Sequence, residues 1–185
     1  MADAIRITTP LTGETVRQLK AGDFVLISGT IYTARDAAHK RMVEALKAGK
    51  PLPVDLTDQI IYYVGPTPAK PGQPIGSCGP TTSGRMDAYA PLIMEQGLRG
   101  MIGKGYRSPE VVESMKKHGA IYFAATGGAA ALIAKAVKKY EVVAYAELAS
   151  EALARMTVED FPAIVVIDSQ GNNFYTEGQA KYRKI

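Results

Sequence analysis

The sequence has one cysteine, Cys78, and no tryptophan among its 185 residues. One thiol cannot form an intrachain disulfide, and it cannot by itself supply the thiolates of a zinc site or an iron–sulfur cluster. Because there is no tryptophan and there are only four phenylalanines, we expect a core built mostly from Val, Ile, Leu, Ala and Met.

Long apolar runs and strong charge clusters are also missing. No stretch approaches the length of a membrane span, and the N-terminus carries no apolar signal region, so we expect a cytoplasmic location and no membrane partner. The net charge of +4 is modest and the basic residues are spread along the chain, which does not favour a nucleic-acid partner. The length and the 46% hydrophobic content predict one globular domain spanning residues 1–185.

Strand-like and helix-like segments alternate through the middle of the chain, which predicts an α/β fold with layered elements. The apolar runs at 24–28, 59–65, 120–126 and 161–168 are typical of buried strands, and the segments at 36–48 and 108–118 have helix start and stop signals. Two further expectations are a helix from residue 82 or 83 to 96, kinked at Pro91, and a hairpin turn at 169–172 that leads into an extended segment at 173–176.

Residues 76–87 contain most of the chemically useful groups. They follow a strand and a proline-rich loop, and they form a glycine-rich turn that opens a predicted helix. Such a junction points backbone N–H groups and the positive end of a helix dipole at one spot, which suits an anion. Arg85 adds a planar fork for a carboxylate or phosphate, and Thr81 and Thr82 add hydroxyls. The alternative is a capped helix start without a ligand.

Two other cations occupy comparable positions. Arg35 stands just before a predicted helix, and Lys104 lies between two glycines after a short strand. Strand ends of α/β sheets gather on one side, where ligands bind. Two arginines and a lysine suit a small dicarboxylate, and they suit a phosphate nearly as well. A threonine hydroxyl near them could take part in proton transfer, provided that a neighbouring charge or metal assists it. We predict no metal ligand in this chain.

Four motifs in order resemble one known family. Residues 29–40, 76–87, 102–105 and 127–131 are similar to the β subunit, or C-terminal domain, of class I fumarase and L-tartrate dehydratase. The resemblance covers almost the whole chain. It implies a three-layer swivelling β/β/α domain and a hydro-lyase that adds water to, or removes it from, a dicarboxylic acid.

The resemblance also implies roles for individual residues. Arg35 and Arg85 match the family's substrate-binding arginines, Lys104 matches its lysine, and Thr81 matches its proposed catalytic base. Thr82, beside that base, is expected to bind substrate. Asp36 and His39 belong to the matching motif in a supporting role, and Cys78 is expected to be a buried thiol rather than a cluster ligand.

A partner is implied as well. In the family a separate α part carries a 4Fe-4S cluster, so the cluster is expected on the partner and activity only in the assembly. Two other functions stay open: a non-catalytic domain that binds a small anion, and a purely structural partner subunit. The sequence leaves open whether the substrate is fumarate or tartrate, whether the chain forms homo-oligomers, and how mobile the loop at 66–76 is.

Overall fold

The structure is a computed structural model that describes residues 4–183, except for the side chains of residues 181 and 182. This part of the chain contains seven β-strands: β1 (Ile5–Thr8), β2 (Phe24–Thr33), β3 (Ile60–Tyr62), β4 (Gly100–Gly103), β5 (Ile121–Ala124), β6 (Val137–Ala144) and β7 (Leu153–Ile167). It also contains six α-helices: α1 (Gly13–Gln18), α2 (Asp36–Lys47), α3 (Ala90–Met94), α4 (Pro109–His118), α5 (Ala130–Ile133) and α6 (Phe174–Tyr182). The predicted α/β class is therefore confirmed.

One mixed sheet contains all seven strands, in the order β1-β2-β3-β4-β5-β7-β6. Strands β1 to β5 pair in parallel, whereas β7 is antiparallel to β2, β5 and β6. The long strand β7 pairs with β5 and also with β2. The sheet therefore curves, and β7 connects β5 to β2 by hydrogen bonds.

The core consists of two clusters of buried side chains on opposite faces of the parallel strands. Ile60 and Tyr62 of β3 point into the first cluster, which β2 and β7 also line. Ile61 of β3 and Tyr63, which directly follows β3, point into the second cluster, to which α2, α3 and α4 also contribute side chains. This assignment follows from the two-residue period of a strand, which sends successive side chains to opposite faces.

Helix α4 forms as the sequence predicts. The Ser108 hydroxyl accepts a hydrogen bond from the Val111 N–H at 3.4 Å, Pro109 occupies the first helical position, and Gly119 ends the helix with a φ of 62°. These are the start and stop signals that a capped helix requires. None of the helices within residues 4–183 combines the length and the apolar character that crossing a bilayer would need.

Two local predictions were wrong. Instead of a helix from 82 or 83 to 96, the chain forms a short 3-10 helix, Ser83–Met86, and then α3, in which Pro91 stands in the first turn. Proline lacks an N–H, so it starts a helix there instead of kinking one. Of the expected extended segment at 173–176, Asn173 is extended and pairs with Ile167 in an antiparallel bridge. Residues 174–176 form the first turn of α6 instead, because the Asn173 side chain accepts the Tyr175 N–H at 3.0 Å as an N-cap.

Candidate functional site

The carboxyl ends of four parallel strands define one edge of the sheet. Arg35 comes shortly after β2, Gly65 after β3, Lys104 directly after β4, and Gly127 after β5. In open α/β sheets this edge is where ligands bind, because loops rather than strands continue from it. The topology therefore brings together segments that are far apart in the sequence.

Arg35 and Arg85 meet at Asp36, the first residue of α2. Arg85 Nη2 donates to Asp36 Oδ2 at 2.6 Å, and Arg35 Nε lies 3.7 Å from Asp36 Oδ1. The Arg85 side chain is 50% exposed and the Arg35 side chain 21% exposed. Asp36 therefore holds two guanidinium groups near one carboxylate, and Arg85 keeps donors free toward solvent.

Lys104 is joined to the segment that carries Arg85 by a short backbone ladder. The Thr81 N–H donates to the Tyr63 carbonyl at 2.8 Å, the Lys104 N–H to the Thr81 carbonyl at 3.3 Å, and the Ser83 N–H to the Lys104 carbonyl at 2.9 Å. Thr82 pairs with Lys104 in a parallel bridge. The two threonines and the lysine thus have a fixed relative position.

The turn after β5 borders the same lysine. A Cβ atom added to Gly127 would lie 3.7 Å from Lys104 Nζ, so the ammonium group lies close to this glycine. Gly127 and Gly128 are both exposed. The turn at residues 127 and 128 therefore adjoins the segment with Lys104, Thr81 and Thr82.

The site is an open surface within this chain. Arg85, Lys104 and Thr82 are exposed, and Thr81 is half-buried. A catalytic site usually excludes water, because its electrostatic interactions are much stronger in a medium of low dielectric constant. Catalysis at these groups would therefore need another surface over this edge.

His39 of α2 is fully buried. Burial lowers the pKa of His39 from 6.5 to about 4, so the ring is neutral at pH 7. Its Nδ1 lies 2.9 Å from the Arg35 carbonyl, an acceptor, so Nδ1 carries the proton. His39 therefore holds the Arg35 carbonyl through a hydrogen bond and does not itself reach the exposed surface.

The chain's own residues do not fit an iron–sulfur cluster. Cys78 is buried, and burial raises the pKa of its thiol to about 11, so the thiolate form that ligates iron is disfavoured. Across residues 4–183, no three side chains of the His, Cys, Asp and Glu types converge as a metal site would require. The expectation that Cys78 is a buried thiol is confirmed.

No pattern in the sequence predicts the buried ion pair of Arg107 with Asp87, the residue that follows the 3-10 helix Ser83–Met86. Arg107 Nε donates to Asp87 Oδ1 at 2.7 Å, and Asp87 Oδ2 accepts the Ser108 N–H at 2.7 Å. The Arg107 guanidinium carbon lies 5.4 Å from the ring centre of Tyr63 and 5.2 Å from that of Tyr122. Asp87 directly follows the turn that carries Arg85, so this pair anchors the turn to the sheet.

Glu151, the last residue of the 3-10 helix Ala146–Glu151, is a second residue of the site that the sequence does not predict. Its Oε1 lies 3.3 Å from Arg35 Nη2. No local pattern marks either Glu151 or Arg107, because each meets its partner only through the tertiary fold.

A family model described as the fumarase C-terminus matches residues 1–178. The anaerobic class I fumarate hydratase of Escherichia coli K12 is 44% identical over 153 residues, which make up 82% of this chain and 28% of the relative. The fumarate hydratase 2 of Leishmania major is 41% identical over 162 residues, 86% of this chain and 28% of the relative.

A relative of similar length comes from Methanocaldococcus jannaschii. The protein named "Putative L(+)-tartrate dehydratase subunit beta" is 40% identical over 182 residues, 95% of this chain and 93% of the relative. In contrast, the chain spans only about 28% of the length of these two fumarate hydratases. The match over nearly the whole chain shows that it belongs to the fumarase C-terminus family.

Proposed function

We propose that this chain is the β part of a hydro-lyase that interconverts a hydroxy-dicarboxylate and its dehydrated form, with fumarate and malate, or tartrate, as the substrate pair. One observation carries the proposal: Arg35 and Arg85 converge on Asp36 at the sheet edge where Lys104 and two threonines are also held. Relatives of this chain are named fumarate hydratase and tartrate dehydratase.

The cations serve to bind the substrate. A guanidinium fork pairs with a carboxylate through two parallel hydrogen bonds, so Arg35 and Arg85 would each orient one end of a dicarboxylate. Lys104 adds a mobile point charge beside Thr81 and Thr82. Asp36 limits the net positive charge at the site and keeps the Arg85 fork in place before substrate binds.

Thr81 is the proposed base, and Thr82 binds substrate next to it. A neutral threonine hydroxyl is a very weak base, so Thr81 would act as its alkoxide, which takes the substrate proton and returns to the neutral hydroxyl; nearby cations are needed to stabilise that alkoxide. Lys104 is a cation whose backbone is bonded to Thr81, because its N–H donates to the Thr81 carbonyl. The half-buried position of Thr81 keeps its hydroxyl partly out of water.

The rest of the active site would come from a partner α part. We propose that the α part holds a 4Fe-4S cluster, since this chain does not supply the thiolates, and that it covers the open edge. We also propose that residues 1–185 form a single three-layer swivelling β/β/α domain. The two buried clusters on opposite faces of the parallel strands, one against β7 and one against the helices, support that arrangement.

Assembly with the partner tests the function. We expect the full-length protein, combined anaerobically with a cluster-loaded α part, to change the ultraviolet absorbance of fumarate or tartrate solutions, and the chain alone to leave it constant. Arg85→Ala should lower kcat/KM about a hundredfold without loss of assembly, since it removes one partner of a charge pair. The matched control is Arg41→Ala, an exposed arginine of α2 that pairs with Glu147.

The outcome separates the proposed function from its alternatives. Equal activity with and without the α part would contradict a shared site. Dicarboxylate binding by the isolated chain, with no turnover in the assembly, would identify a binding domain. If Arg85→Ala left both assembly and turnover intact, the role of the chain would be structural.

A further inference from the structure

Glu151 joins the guanidinium group of Arg35 to the beginning of α2. Its Oε1 lies 3.3 Å from Arg35 Nη2, and its Oε2 accepts the Ala37 N–H at 3.3 Å. Both charged side chains are largely buried, with 26% of Glu151 and 21% of Arg35 exposed. One carboxylate therefore caps the helix and holds the arginine, which reduces the freedom of a long side chain before any ligand arrives.

Gly65 completes the slot in which Arg35 lies. A Cβ atom at position 65 would come within 2.8 Å of Arg35 Nη1, 3.0 Å of its Cδ and 3.2 Å of the Ser150 carbonyl. The arginine side chain thus passes directly over the glycine, beside the residue that precedes Glu151. A close approach of this kind needs a residue without a side chain.

The backbone of the turn that precedes Glu151 has two residues in an unfavourable conformation. Ala149 has φ 52° and ψ −117°, and Tyr145, at the start of the same turn, has φ 58°. Non-glycine residues rarely adopt a positive φ, and such conformations persist only where the surrounding structure determines them. The turn thus places Glu151 at the end of β2, since β7 begins two residues later and pairs with β2 there.

We propose that Glu151 is a positioning residue that holds Arg35 in the orientation that receives a substrate carboxylate. The inference rests on the proposed function for its kinetic part. An arginine has five N–H donors, and Glu151 engages Nη2 only, so donors remain for a ligand. Because the side chain is already ordered by Glu151 and Gly65, a substrate does not have to order it on binding.

Steady-state kinetics of the assembled enzyme test this role. Glu151→Gln keeps an acceptor for the Ala37 N–H but removes the charge that faces Arg35. We expect KM to rise about tenfold, the equivalent of ordering one long side chain, with kcat changed less than about threefold. The matched control is Glu147→Ala on the same 3-10 helix, which pairs with the exposed Arg41 and should change KM less than about twofold.

A double-mutant cycle distinguishes action through Arg35 from a general loss of structure. On an Arg35→Met background, Glu151→Gln should have no further effect on KM, because the group that it positions is gone. Full additivity of the two substitutions would overturn the proposal. An equal fall of kcat in Glu151→Gln and Glu147→Ala, with KM unchanged in both, would also overturn it.

A second measurement does not depend on activity. In the full-length protein, modification of Arg35 by phenylglyoxal, followed by peptide mass spectrometry, reports how freely the guanidinium reacts. We expect Glu151→Gln to accelerate the modification at Arg35 several-fold and Glu147→Ala to leave it unchanged; equal rates in wild type and Glu151→Gln would refute the positioning role. If the wild-type assembly turned over no dicarboxylate, the proposed function would fail, and the modification rates would still decide the role of Glu151.

Discussion

Asp87→Ala should destabilise the protein far more than loss of an ordinary surface carboxylate. Asp87 pairs with Arg107, whose side chain is 0% exposed, and it also accepts the Ser108 N–H at the start of α4. Removing the carboxylate leaves a buried guanidinium without its counter-charge, which costs more than the pair itself contributes. The substitution also removes the residue that ties the Arg85 turn to the sheet.

The expected magnitude follows from the burial of this pair. Breaking a buried ion pair on one side costs about 3–5 kcal/mol, and we expect roughly 4 kcal/mol for the free energy of unfolding. The cation–π contacts of Arg107 with Tyr63 and Tyr122 remain and partly offset the loss. For a domain of this size, 4 kcal/mol lowers the melting temperature by roughly 8–16 °C.

Urea denaturation followed by circular dichroism measures the effect. Glu113→Ala is the control, because Glu113 pairs with Lys116 on the surface of α4 and its side chain is 71% exposed. That substitution should change the free energy of unfolding by less than about 0.5 kcal/mol. If Asp87→Ala cost less than about 1 kcal/mol with an unchanged m-value, the buried pair would not anchor the turn as described.

Three further predictions concern single groups. His39 has a folded-state pKa of about 4 against its usual 6.5, so the unfolded state binds the proton first, and stability should fall by roughly 3 kcal/mol as the pH drops from 6.5 to 4; His39→Asn should remove this slope from urea titrations. Cys78, buried and with its pKa raised to about 11, should react with a disulfide reagent at pH 8 at least about a hundredfold more slowly than in urea. Thr81→Val should lower kcat of the assembled enzyme about a hundredfold, Thr81→Ser should restore most of it, and a valine variant with wild-type kcat would exclude Thr81 as the base.

The sequence predicted the elements whose signals are local. Helix α4 was predictable from Ser108, Pro109 and Gly119, which satisfy the unpaired groups at its ends without help from the rest of the fold. The prediction of one helix reaching residue 96 is wrong because Pro91 starts a new helix, α3. Residues 174–176 are helical rather than extended because one capping side chain, Asn173, starts α6. The residue at which a short helix begins thus depends on a single hydrogen bond or on the lack of one N–H.

The contacts of the site were less predictable than its residue types. Arg85, Lys104 and the threonines stand out because they lie in glycine-rich turns. Glu151 does not, since the Ala37 N–H that its side chain meets lies 114 positions away. The pairing of β7 with β2 closes that distance, and strand pairing over such separations has no signature within either segment.

The most direct test of the account is a crystal structure of the full-length protein assembled with its α part and bound to a dicarboxylate such as malate. We predict that the guanidinium groups of Arg35 and Arg85 and the ammonium group of Lys104 lie within hydrogen-bonding distance of the same bound molecule. A dicarboxylate held entirely by the partner's residues, with these three side chains in solvent, would contradict the account.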